Sequence, residues 1–222
     1  WEEKALRQYL PGKVRIASGK RQITERVHDI ASTLKHLAQL QADEAIYQPT
    51  IKVPPSFQQR YGLSPELCDF PPCRPDLLQA TERNGQLSLR VIDLKASAVA
   101  KMSHRIQAAI YALMLREIAS AAKLPLTVDT EEGGIWLIEQ PKPEWCDLGP
   151  SVAMVERFLS DQLLDILTRP IAELHWHLFY RCEWCEFYEA CRQEAEQLRS
   201  FSLLPYLTPG GKRFLCDTGS AN

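Results

Sequence analysis

Asp76-Leu-Leu-Gln-Ala-Thr-Glu-Arg83-Asn84-Gly85-Gln86-Leu-Ser-Leu-Arg-Val-Ile-Asp93-Leu-Lys95 reads as two strands joined by a tight reversal. Asn-Gly between two such runs is the strongest short-range hairpin signal, because a type I′ turn needs positive φ at both central positions. With a two-residue loop at 84–85, residue 83 faces residue 86, and carrying the pairing outward sets Asp76 opposite Asp93. Their Cβ atoms should lie about 4.5–5.5 Å apart on one face. Lys95, two residues beyond Asp93, projects from that face as well. Opposed like charges destabilise a sheet, and Asp is a poor strand former. A cation would offset that cost. Two carboxylates at this spacing, with a nearby backbone carbonyl, supply the hard oxygen ligands Mg²⁺ prefers and leave room for water and a phosphate. Lys95 would then orient the water or neutralise developing charge. The competing reading makes Asp76 a cap after Pro75 and pairs Asp93 with Lys95 as a surface charge set; spacing alone favours neither.

Upstream, Ile23, Val27, Ile30, Leu34, Leu37 and Leu40 repeat with helical period across residues 22–41. Residues 45–53 read as a strand. The prolines from Pro54 to Pro75 exclude any regular element there beyond a short turn. Downstream, the pattern predicts a helix over 101–122, a strand over 135–139 after Gly133-Gly134, a helix over 150–168 stopped by Pro170, and a helix over 186–199. This order of elements is mixed α/β. On helix 101–122, Gln107 and Tyr111 stand at i and i+4 with His104 one turn earlier, so the three share a face. Ile106, Ile110, Leu113 and Met114 are assigned to the opposite side, against a sheet. Gln and Tyr on one stripe suit a DNA strand or metal-bound waters, although a half-buried helix flank is the commoner meaning of such a pair. His28 on the first helix is a ligand candidate on the same terms, with Glu25 as the competing carboxylate.

The whole chain, 222 residues with 45% hydrophobic and 24% charged, has globular composition and is not disordered, collagen-like or coiled coil. A formal net charge of -2 excludes a generally basic nucleic-acid coat but leaves room for a local basic groove. The first 26 residues are biased that way: Lys4, Arg7, Lys13, Arg15, Lys20, Arg21 and Arg26 outnumber Glu2, Glu3 and Glu25. A solvated helical face explains this bias as well as phosphate contact does. No apolar run approaches the roughly 18 residues of a membrane span, and no signal peptide is visible, so the expected location is cytoplasmic. The start at Trp1 rather than Met reads as a domain cut from a longer chain.

Seven cysteines, an odd number, do not form a secreted disulfide framework in a chain this long. Three are close in sequence, in Cys182-Glu-Trp-Cys185 and at Cys191. A C-x2-C pair brings two thiolates to one metal, and a third after a short helical segment can close on it. Zinc and an iron–sulfur cluster both fit the count. Candidates for the fourth ligand are Cys68, Cys73, Cys146, His175, His177 or a cysteine before Trp1. Cys216 reads as an ordinary thiol.

Together these segments resemble the PD-(D/E)XK nucleases of the RecB type, in the branch with CRISPR-associated exonucleases and iron–sulfur helicase–nucleases. Cys73-Arg74-Pro75-Asp76-Leu77-Leu78 is similar to that family's Gly-Arg-x-Asp-Leu-Leu segment, and Val91-Ile92-Asp93-Leu94-Lys95 to its acidic-x-Lys strand. Gln107-Ala-Ala-Ile-Tyr111 is similar to its Gln-x3-Tyr motif, and Cys182-x2-Cys185-x5-Cys191 to its cysteine triplet. The resemblance implies a restriction-endonuclease-like α/β core over 1–200, a mixed central sheet flanked by helices, with a cysteine-cluster helical segment at 182–191 inside it. Residues 201–222 would be a linker or the start of a further domain. It further implies a Mg²⁺- or Mn²⁺-dependent deoxyribonuclease, exonucleolytic on single-stranded DNA, working with a helicase domain in the same or another chain. By carry-over, Asp76, Asp93, the Leu94 carbonyl and His28 bind the metal, Lys95 supports the attacking water, and Gln107 and Tyr111 position the strand. Cys182, Cys185 and Cys191 would hold a [4Fe-4S] cluster, zinc being the alternative, with the fourth cysteine expected upstream of Trp1. Cys73 stands where the family has Gly, and Asp93 where Glu is commoner. The alternative from another functional class is a catalytically inactive nucleic-acid-binding or adaptor module; the intact Asp76, Asp93 and Lys95 set argues for the enzyme.

Overall fold

Asn84 and Gly85 adopt φ of 52° and 74°, the conformation a type I′ reversal requires. The flanking strands pair in the expected register, from Arg83 opposite Gln86 to Leu77 opposite Ile92. The computed structural model describes residues 2–10, 14–15, 29–170 and 173–219. The chain separates into two compact units, Trp1–Thr168 and Arg169–Asn222. In the first, the elements are α1 (Glu2–Tyr9), β1 (Val14–Arg15), α2 (Ile30–Ala38), β2 (Ala45–Tyr47), α3 (Pro55–Arg60), β3 (Leu77–Arg83), β4 (Gln86–Lys95), α4 (Met102–Ala121), β5 (Thr127–Val128), β6 (Glu132–Leu137), β7 (Glu144–Asp147), α5 (Gly149–Arg157) and α6 (Leu163–Thr168). A π-helical turn over Phe158–Gln162 joins α5 to α6. The sheet order is β1-β2-β3-β4-β6-β7, with β5 paired to β4. β4 runs antiparallel to β3 and parallel to β6, which makes the sheet mixed.

Alternation along β3 and β4 divides the core. Leu78, Ala80, Leu89 and Val91 join the cluster that includes α4 and Leu37 of α2. Leu77, Ile92 and Leu94 face the other way, with Trp136 and the Ala5, Leu6 and Leu10 side chains beside them. Burying each large apolar side chain contributes about 1.5–3 kcal/mol. Helix α4 meets the sheet through Ala108, Ala109, Ala112, Leu113, Leu115 and Ala119, all buried. The alanines let its backbone come close. At its start the His104 Nδ1 accepts the Lys101 N–H at 3.3 Å. At its end Lys123 takes φ of 51°, while the Leu124 N–H donates back to the Ala119 carbonyl, a left-handed helix stop followed by Pro125. In α2, Asp29 caps the first turn, accepting from the Ala31 N–H at 2.9 Å.

Several elements depart from the sequence expectation. The strand expected over 45–53 is only β2, because Gln48 turns left-handed with φ of 44°; Ile51 survives as an isolated bridge to Cys73. The proline-dense stretch does contain a helix, α3, since Pro55 occupies its first turn, where no N–H is needed. The strand placed after Gly133-Gly134 begins at Glu132 and includes both glycines. A Cβ on Gly133 would meet Leu148 Cδ1 at 2.6 Å and the Val91 carbonyl oxygen at 3.3 Å, so a side chain there would require the buried Leu148 to shift. The helix expected over 22–41 is described from Ile30, and residues 22–28 lie outside the described residues. Strands β1, β5 and β7, of 2, 2 and 4 residues, are too short to show an alternating pattern.

The second unit contains a 3₁₀ turn at Tyr180–Trp184, α7 (Tyr188–Gln197), a 3₁₀ turn at Phe201–Leu203 and α8 (Pro209–Asp217). Residues 201–219 are thus structured and fall in the same compact unit as 169–200. Lys212 on α8 shows why: its Nζ donates to the Trp176 carbonyl at 2.8 Å and to the Ser200 and Ser202 hydroxyls at 3.0 Å each. No helix among the described residues is long and apolar enough to cross a membrane.

Candidate active site

The β3–β4 ladder stops at Leu77 opposite Ile92, and the next pair outward is Asp76 and Asp93. Beyond the ladder the Leu94 N–H has no strand partner, and the Asp76 Oδ2 accepts it at 2.8 Å. A residue in an extended strand directs its N–H and C=O to one side, so the Leu94 carbonyl also faces the Asp76 side. Asp93 is 1% exposed. Its Oδ1 accepts from Lys95 Nζ at 2.8 Å, whereas its buried Oδ2 has no donor. The two aspartate carboxyls lie within hydrogen-bonding reach of each other.

Burial first, and then the neighbouring Asp93 charge, push the Asp76 carboxyl up to about 7, against the Leu94 N–H bond that opposes the rise. Burial also raises Asp93, while Lys95 pulls it down. Two carboxylates this close, one of them with a donor-less buried oxygen, cannot both stay ionised cheaply in a buried site. A shared proton or a cation must fill the gap. Mg²⁺ or Mn²⁺ fits the donor set present: two carboxylate oxygens and a backbone carbonyl, all hard ligands. Among the described residues no third His, Cys, Asp or Glu joins the pair; His28 and Glu25 lie outside the described residues.

Lys95 is held on two sides. Besides Asp93 it donates to Gln107 Oε1 at 3.0 Å, and Gln107 Nε2 donates to the Tyr111 hydroxyl at 3.3 Å. An ammonium carries three donors, which leaves one for a water or a phosphoryl oxygen. Burial raises the Tyr111 phenol, keeping it protonated. The structure therefore joins Asp76, Asp93, Lys95, Gln107 and Tyr111 in one network. His104 is on the same helix but is spent on its first turn, and burial lowers its imidazole.

Ile106, Ile110 and Met114 are not opposite the Gln107 stripe. With Gln107 and Tyr111 they line a cleft of about 400 Å³ whose far side is Phe70, Pro71 and Cys73. The sheet-facing stripe is instead the alanine row, one step around the helix. Phe70 was missed because its position depends on the path of the proline-dense segment, which carries no periodic signal.

The cysteine triplet does not assemble in the same way. Cys182 and Cys191 are half-buried and Cys185 is exposed, all three free. Among the described residues no three metal-ligating side chains gather. Fourth-ligand candidates are engaged elsewhere: Cys73 Sγ is 3.6 Å from Met114 Sδ, Cys146 Sγ is 3.5 Å from the Gly133 carbonyl, and His177 Nε2 is 2.8 Å from the Leu207 carbonyl. As placed, these thiols do not form a cluster site.

Comparison with known proteins agrees with the first unit's chemistry. The model of the PD-(D/E)XK nuclease superfamily matches residues 2–192. No curated protein matches the chain.

Proposed function

This chain belongs to the PD-(D/E)XK nuclease superfamily, and on that premise we propose that it is a metal-dependent deoxyribonuclease removing nucleotides from single-stranded ends. The observation that carries the reading is the donor-less, buried Asp93 Oδ2 beside Asp76, with Lys95 fixed against the same pair. Asp76, Asp93 and the Leu94 carbonyl would hold Mg²⁺ or Mn²⁺, with His28 as a further ligand. When bound, such an ion polarises a phosphoryl oxygen and makes water a better nucleophile at neutral pH. The protein's own residues do the rest. Lys95 offers its third proton to the oxygen on which charge accumulates, and its two other bonds aim it there in advance. Gln107 fixes Lys95, and Tyr111 fixes Gln107.

The C-x2-C-x5-C spacing supports a structural [4Fe-4S] cluster, or zinc, on Cys182, Cys185 and Cys191. Their placement does not assemble that set, so no catalytic step uses it. Single-stranded ends are what a helicase supplies, which makes a helicase domain, in this chain or another, the fitting partner, in the cytoplasm. The test is degradation of end-labelled single strands and duplexes with Mg²⁺, with Mn²⁺ and with EDTA, beside Asp93→Asn. Metal-dependent loss of label from single strands, absent in the variant, supports the reading; equal degradation by the variant overturns it.

A further inference from the structure

The cleft along α4 shares two of its walls with the catalytic network. Gln107 and Tyr111 line it, and the same Gln107 holds Lys95 at 3.0 Å. Its other lining is mostly apolar, Phe70, Pro71, Ile106, Ile110 and Met114, with Cys73 and the small polar Ser103. Among the described residues no charged side chain lines it. Burial pushes the Cys73 thiol up to about 11, so that group is neutral too. The volume, about 400 Å³, admits one flat ring system. Phe70 is braced edge-to-face by the buried Phe57, with ring centroids 5.3 Å apart.

A charge-free recess beside a cation-demanding carboxylate pair separates two ligand chemistries. The phosphodiester belongs at the carboxylates and Lys95; the recess suits something planar, uncharged and apolar on its faces, with a polar edge for the Gln107 and Tyr111 groups at its rim. A nucleobase has this character. We propose that the cleft is a base subsite: it takes one unstacked nucleobase of the strand whose phosphate lies at Asp76 and Asp93. This rests on the nuclease reading above and adds to it a reason for single-strand preference, because a base held in a duplex stack cannot enter without being flipped out. Contacts with Phe70, Ile106 and Ile110 would be sequence-tolerant, since every base presents a π-face.

Binding without hydrolysis tests the subsite. The full chain in EDTA is titrated with short single strands ending in 2-aminopurine or, in matched strands, in an abasic site. The base-bearing strand should bind about tenfold tighter, the scale of one base stacked on protein, and 2-aminopurine fluorescence should change on binding. Ile110→Trp, which fills the cleft, should bring the two affinities together at an unchanged melting temperature; Phe70→Ala is the companion if that variant misfolds. Equal affinity of the two strands for the wild type, or no binding of either, overturns the proposal. Cleavage assays separate it from the nuclease reading. Metal-dependent cleavage indifferent to the abasic end removes the subsite alone, whereas base-dependent binding without any cleavage removes the catalytic reading alone.

Discussion

Replacing Asp93 with Asn deletes one negative charge at nearly constant shape, and the structure sets opposing consequences for stability and function. The Asp93 side chain is fully buried and its ion pair with Lys95 spans 2.8 Å. Deleting one partner of a buried pair costs about 3–5 kcal/mol when the other charge is stranded. Lys95 is not stranded: it retains Gln107 Oε1, is 22% exposed, and is attracted by Asp76. Against that loss stands removal of the Asp93 charge, which adds to burial in lifting Asp76 from 3.8 to about 7. The two effects offset, so metal-free Asp93→Asn should melt within about 5 °C of the wild type. Metal then separates the proteins. At a hundred times its Kd an ion adds about 2.7 kcal/mol to the wild type, about 5–10 °C in a chain of this size, and should shift the variant by less than about 2 °C. Cleavage should fall by about a thousandfold or more, because several kcal/mol of charge stabilisation depend on the ion. Differential scanning fluorimetry with and without MnCl₂ and a single-turnover assay give both numbers. An equal metal shift in both proteins, or cleavage by the variant within tenfold of wild type, would refute the assignment.

Three other outcomes follow from the same geometry. Because burial raises Asp76 to about 7, its proton competes with the ion, so apparent metal affinity by calorimetry should strengthen about fivefold from pH 6 to pH 7, about twofold more by pH 8, and level off above; a pH-independent affinity contradicts the buried pair. The sign for stability is opposite: protonation favours the folded metal-free protein fully below 3.8 and that contribution is lost as pH rises through about 7, so the metal-free melting temperature should fall from pH 5 to pH 8 and stay flatter in Asp76→Asn. Gln107→Leu removes an acceptor of a charged donor, worth about 1.5–3 kcal/mol, and should slow single-turnover cleavage about 10- to 100-fold; an unchanged rate removes Gln107 from the network. Anaerobically purified protein carrying a cluster on Cys182, Cys185 and Cys191 should contain iron and sulfide and be brown; stoichiometric zinc in a colourless sample assigns zinc, and neither metal leaves the triplet without a site. In metal-free protein, alkylation at pH 7.5 should reach exposed Cys185 well before Cys73, whose thiol burial holds at about 11.

What the sequence disclosed and what it concealed differ by the range of the forces involved. The Asn84-Gly85 turn is local chemistry, and a turn of fixed length dictates every cross-strand pair beyond it; Asp76, Asp93 and Lys95 could therefore be brought together on paper without any tertiary information. Gln107 and Tyr111 could be put on one helix face by spacing, but nothing local said that Gln107 would reach Lys95, a contact that depends on how closely an alanine-rich stripe lets α4 approach the sheet. The error about Ile106 and Ile110 has the same origin. Ile106, Ile110, Leu113 and Met114 were assigned to the sheet as one apolar side, whereas packing buries Leu113 with Ala108, Ala112 and Ala119 and leaves Ile106, Ile110 and Met114 lining a cleft. Strand β2 and helix α3 were misjudged where a single backbone conformation decides the outcome: left-handed Gln48 ends a strand whose residues favour continuing, and Pro55 at a helix start is permitted where Pro inside a helix is not. The cysteines mark the limit from the other side. Their spacing is as regular as the hairpin's, yet a metal site must draw ligands from several segments, so spacing alone does not assemble it. A register fixed by one turn locates the carboxylate pair; the cleft beside it and the arrangement of the thiols are settled only by packing.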